Sequence, residues 1–112
     1  MTNEMRLKLE MRVVRKLVKD ALALGYAVSV FDGEEWTVHK SKAFSAIIAA
    51  LRTTDDDILL FRNAANEIVG KVLLIYGNEP YEVINDYSAN PAMEALIAGA
   101  NATANKIESM VS

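Results

Sequence analysis

Cysteine is absent from the 112 residues, and with it any disulfide, thiolate metal site or cysteine nucleophile. Histidine occurs once, as His39, so a general base on this chain is either that residue or a carboxylate. No apolar run approaches the ~18 residues that a membrane span needs. The chain opens on Glu4, Arg6 and Lys8, which is not a signal-peptide layout. Gly70, Gly77 and Gly99 stand isolated, and neither a GxGxxG nor a GxxxxGKS/T spacing occurs. The usual glycine-rich phosphate loops are therefore missing, and Gly77-Asn78 reads as turn chemistry. From these absences the expectation is a cytoplasmic protein with no cofactor, no metal and no membrane association.

Apolar residues make up 52% of the chain and charged residues 24%, which suits one folded domain over residues 1–112. The net charge of −3 conceals a division. Residues 1–20 hold six cations against three acids, a net of +3, while the rest hold six against twelve, a net of −6. A basic N-terminal element on an acidic body is the clearest large-scale feature.

Residues 4–24 read as a helix stopped by Gly25. Leu7, Met11, Val14, Val18, Ala21 and Leu22 form its apolar stripe, widened by Val13, Leu17 and Leu24. Lys8, Arg12, Arg15, Lys16 and Lys19 share an arc of roughly 100° beside that stripe. Strands at 26–31 and 35–40 flank the Asp32-Gly33 turn signal. A longer loop with a bulge is expected there, because it aligns Trp36 and Val38 with Tyr26, Val28 and Val30. Ser41 is suited to cap a helix over 42–52, with Phe44, Ile47, Ile48 and Leu51 inward.

A strand at 58–62 and an Asn63-Ala64-Ala65-Asn66 loop lead into the strand at 68–76. Both of its faces are apolar, which predicts a central strand, covered on each side or lying at a dimer contact. After Gly77-Asn78-Glu79-Pro80 the chain returns as a strand at 81–87. Asn90 and Pro91 then open a helix over 91–110 as N-cap and first helical residue. Ala95, Ala98, Gly99 and Ala102 give that helix a flank of small residues suited to close approach. The order is α-β-β-α-β-β-β-α, an α+β domain with a mostly antiparallel sheet.

The segments ALALGYAVSVFDGEEWTVHKS, ALRTTDDDILLFRN, VGKVLLIYGN and EVINDYSANPAMEALIAGAN resemble a group of small proteins encoded by tailed bacteriophages. The resemblance runs from about Ala21 to Asn101, leaving most of the basic helix outside it. It implies an accessory protein made in the bacterial host cytoplasm, acting by binding host or phage macromolecules. It carries no catalytic residues.

The residues themselves point the same way. His39 lacks a Ser or Asp at any triad spacing. Asp55, Asp56 and Asp57 lack the EF-hand pattern and read as a turn, with Asp55 or Asp56 capping the link from helix to strand; an enzyme site would need them to converge with Asp86 and His39 in one pocket. The expected function is non-enzymatic: binding another protein through Lys8, Arg12, Arg15, Lys16 and Lys19, with a homodimer as one form of that association. A nucleic acid on the same helix face is the alternative. It has against it the negative net charge and the lack of interleaved aromatics. Asn85, Asp86, Tyr87 and Ser88 form a second candidate surface, though Asp86 and Ser88 are equally suited to bonding backbone donors.

Overall fold

Thr2 starts the first helix by accepting a hydrogen bond from the Met5 N–H at 3.1 Å, in a computed structural model that describes residues 1–111. Ser112, the last residue of the predicted domain, lies outside the described residues. Helix α1 runs from Asn3–Ala23. It closes in a Schellman arrangement: Gly25, at φ +82°, donates to the Leu22 carbonyl, and Tyr26 donates to Ala21. A glycine is favoured at that position because a side chain resists the left-handed backbone.

The remaining elements are β1 (Ala27–Phe31), β2 (Trp36–Ser41), α2 (Phe44–Ala49), β3 (Asp56–Arg62), β4 (Ile68–Ile75), a 3-10 turn at Pro80–Glu82, β5 (Ile84–Tyr87) and α3 (Pro91–Val111). The strands form one antiparallel sheet in the order β2-β1-β3-β4-β5. This is the predicted α+β domain with the predicted order of elements. All three helices cover one face of the sheet, where Val28, Val30, Leu59, Phe61, Val72 and Leu74 meet Val14, Leu17, Ile47, Leu96 and Ile97 in a single core.

Two glycines set how closely the helices approach. A Cβ on Gly70 would run into the Met93 side chain of α3, so β4 is bare where that helix crosses it. A Cβ on Gly99 would meet Lys16 and Asp20, the ion pair of α1 that lies over α3. The other members of the small-residue flank, Ala95, Ala98 and Ala102, are exposed, so Gly99 alone makes this close contact.

Several sequence expectations are corrected. The central strand is β3, not β4. Strand β4 turns Gly70, Val72 and Leu74 to the helices, and its second apolar face belongs to a side of the sheet that no helix covers. Helix α1 is rotated from its predicted setting: Leu7 and Leu24 are exposed, whereas Leu9 and Glu10 are buried. The reason is that Glu10 finds buried partners, described below, which let a carboxylate occupy the core side.

Trp36 is likewise turned out. A four-residue loop, closed by Asp32 N–H to the Glu35 carbonyl, sets Phe31 opposite Trp36. Irregular pairing before and after Val30 then returns Val38 alone to the helix side. Helix α2 is shorter than predicted, with Ala43 at its N-cap, because Ser41 Oγ instead accepts from the Ala43 N–H in a local turn. The return segment spends Pro80–Glu82 in the 3-10 turn before pairing begins. At α3, Asn90 caps as predicted, accepting from the Met93 N–H at 2.9 Å, and also donates to the Val69 carbonyl.

Candidate functional site

The outer surface of α1 is built by periodicity. With Glu10, Val14, Leu17 and Ala21 inward, a rotation of about 100° per residue carries positions 8, 12, 15 and 19 to the opposite side. Lys8, Arg12, Arg15, Lys16 and Lys19 therefore stand together and exposed, opposite the buried arc rather than beside it. They line an open concavity of about 980 Å³ that also reaches α3.

Lys106 of α3 adds a sixth cation, while exposed Leu7 supplies apolar surface and the buried Met11 and Ile107 border the same concavity. Among the described residues, no carboxylate lines it. Lys16 pairs with Asp20 at 2.9 Å, and Lys19 lies 5.6 Å from the centre of the Phe44 ring. Among the described residues, Lys8, Arg12, Arg15 and Lys106 make no ion pair. Such an arrangement suits an extended anionic ligand that also offers apolar contact. Lys106 escaped the sequence reading because it is a lone cation far along another helix, and only tertiary packing brings it to α1.

The other candidates separate. Asp86 Oδ1 accepts from the Tyr87 N–H, Ser88 Oγ accepts from the Lys71 N–H, and the Tyr87 hydroxyl donates to Glu94. The Glu94 carboxylate beside it raises the Tyr87 hydroxyl above its ordinary pKa. Asn85 is exposed at the sheet edge. This edge is thus engaged largely in its own backbone and in α3.

His39 lies against Trp36 on β2, at the opposite edge of the sheet from Asp86 on β5. Four strand spacings, roughly 19 Å, separate those edges, so His39 and Asp86 do not converge. Of the three aspartates, Asp57 turns inward and accepts from the Arg52 N–H at 2.9 Å and the Tyr76 hydroxyl at 2.7 Å. Asp57, rather than Asp55 or Asp56, therefore ties the helix to the strand. No group of metal-ligating side chains forms among the described residues.

Asp57 belongs to a buried polar network that sequence reasoning missed. Glu10, at 1% exposure, accepts from the Arg52 guanidinium and from the Gly77 N–H, each at 2.8 Å. The same guanidinium stacks 4.5 Å from the centre of the Tyr76 ring. Burial raises the Asp57 carboxyl above its ordinary range, against the hydrogen bonds from Arg52 and Tyr76. Burial, reinforced by the bond to Asp57, also raises the Tyr76 hydroxyl. The network fastens α1 to the loops at one end of the sheet.

Comparison with protein-family models, with curated proteins and with solved structures finds no match to this chain.

Proposed function

We propose that this chain is a non-enzymatic binding protein that receives an acidic, amphipathic segment of another protein on the outer surface of α1. The single observation that carries the reading is the meeting of six cations and three apolar side chains, with no acid among them, in one concavity. From position 8 to position 19 the surface extends ~17 Å along the helix, the length of about three helical turns of a ligand. An acidic helix would place carboxylates on the cations and a leucine-type side chain on Leu7 and Met11. The resemblance to small tailed-phage proteins is in keeping with an accessory role, the partner being of host or phage origin.

A nucleic acid would use the same cations. It has no use for the apolar surface between them, and among the described residues no aromatic side chain lines the concavity for base stacking.

The test is calorimetric titration with a helical peptide of alternating Glu and Leu faces, beside a single-stranded oligonucleotide, at two salt concentrations. Peptide binding should weaken at least tenfold in Arg12→Glu/Arg15→Glu and clearly in Leu7→Ser, whose parent side chain is 39% exposed. Oligonucleotide affinity that falls steeply with salt and ignores Leu7→Ser would favour the nucleic-acid reading. Failure of the peptide to bind would refute the proposal.

A further inference from the structure

An antiparallel sheet with one side open to water ordinarily alternates, apolar inward and polar outward. Here the outward positions break that rule. Phe31 pairs with Trp36 on one side and Ile58 on the other, and Ile58 pairs in turn with Leu73. Leu60 and Ile75 lie on the same side in the neighbouring rows. None of these six side chains belongs to the core or packs against it. Trp36 is 48% exposed, and Ile68, farther along the same side, is 61% exposed.

We infer that this sheet face is the contact surface of a homodimer, two copies stacking face to face about a two-fold axis. The inference is independent of the proposed function, which uses the helices on the opposite side of the molecule.

Size is the first argument for a second copy. Five strands, each showing about six residues, make a face of roughly 24 by 20 Å. Stacking two such faces covers about 1,000 Å² before side-chain relief is counted, which meets the lower bound expected of a biological interface. Anatomy is the second argument: an aliphatic and aromatic row runs through Ile58, Asp56 and Arg62 stand at the ends of β3 and Asp86 at the β5 edge, while Lys71 lies beside Leu60 inside the face.

The sign of those charges is the third. Among the paired outward positions of β3, β4 and β5, Asp56 and Asp86 are matched by Arg62 and Lys71, so this part of the face offers both signs to a surface of its own kind. Asp56 and Arg62 also occupy opposite ends of the central strand. A two-fold axis lying across the strands would bring the acidic end of one copy over the basic end of the other, as an isologous contact requires. Sheets packed in this way lie about 10 Å apart with strands crossing near −30°.

The test is the molar mass in solution across a range of concentrations, read together with the emission of Trp36, the only tryptophan. The mass should rise from one chain to two, and the Trp36 emission should shift to the blue over the same range. Leu60→Lys and Leu73→Lys, each introducing a charge at a half-buried position, should weaken association at least tenfold while keeping a native circular-dichroism spectrum. Arg12→Glu/Arg15→Glu should associate as the parent does.

The parent's dilution series involves no substitution and so stands even where a lysine variant fails to fold. A single-chain mass at every concentration would overturn the proposal. Dimers that ignore both lysines, or that vanish in Arg12→Glu/Arg15→Glu, would place the contact elsewhere and overturn it equally.

Discussion

Replacing Glu10 by Gln changes almost no volume but reverses the polarity of one hydrogen bond inside the buried network. The carboxylate now accepts from both Arg52 and the Gly77 N–H, each at 2.8 Å. An amide keeps one acceptor and turns an NH2 group against one of those donors. Loss of a hydrogen bond to a charged group costs ~1.5–3 kcal/mol. Leaving a fully buried charge unpaired costs ~3–5 kcal/mol. The Arg52 side chain is 29% exposed and can regain part of its hydration, which favours the lower figure.

The expected loss is therefore ~2–3 kcal/mol, or a fall of roughly 8–12 °C in Tm for a domain of this size. In urea the midpoint should drop by about 1–2 M with an unchanged slope. Glu10→Leu/Arg52→Met, which removes both charges together, should recover most of that loss. A loss under ~0.5 kcal/mol for Glu10→Gln would show that the pair is solvated and would refute the reasoning.

The two close-contact glycines should respond differently. Gly70→Ala drives a Cβ into buried Met93 and should cost ~1–3 kcal/mol by overpacking. Gly99→Ala meets only the flexible ends of Lys16 and Asp20, so the helical preference for alanine, up to ~1 kcal/mol, should leave it neutral or more stable. Equal losses in thermal melts would refute the distinction. Asp57→Asn tests the raised carboxyl pKa. A group whose pKa is higher when folded supports the fold at low pH, and that support is lost as pH rises through the folded value. The stability difference, variant minus parent, should thus favour the variant more at pH 7 than at pH 4. A difference that grows on acidification would refute it.

Which parts of this molecule were legible in the sequence follows from the range over which each signal acts. Helix ends were readable because Asn90 and Gly25 act on backbone within a few residues. Strand existence was readable from apolar runs, but strand order was not. A strand apolar on both faces looks the same whether helices or a second molecule cover its other side, so its sequence alone points to the centre although β4 lies beside it. Trp36 departs from its expected side because the register irregularity between Val30 and Phe31 separates its phase from that of Val38. The five cations of α1 came together as their spacing implies, whereas Lys106 joined them only through the packing of two helices distant in sequence.

Glu10 is the instructive miss, because it links the fold to the candidate site. At helical spacing it precedes Val14, Leu17 and Ala21, and so it stands in the middle of the apolar arc. Read as a charge, it belongs with the surface; read by position, it belongs in the core. Arg52, 42 residues later, and Gly77, 67 residues later, resolve the conflict by supplying its buried donors. With Glu10 inward, rotation of the helix sets the centre of the cationic arc at about 180° from it, directed away from the sheet. Had Leu7 and Leu24 been buried as the simplest stripe suggested, the arc would have turned toward one flank. The buried network thus does more than stabilise one end of the sheet, for it orients the cationic surface on which the proposed binding depends.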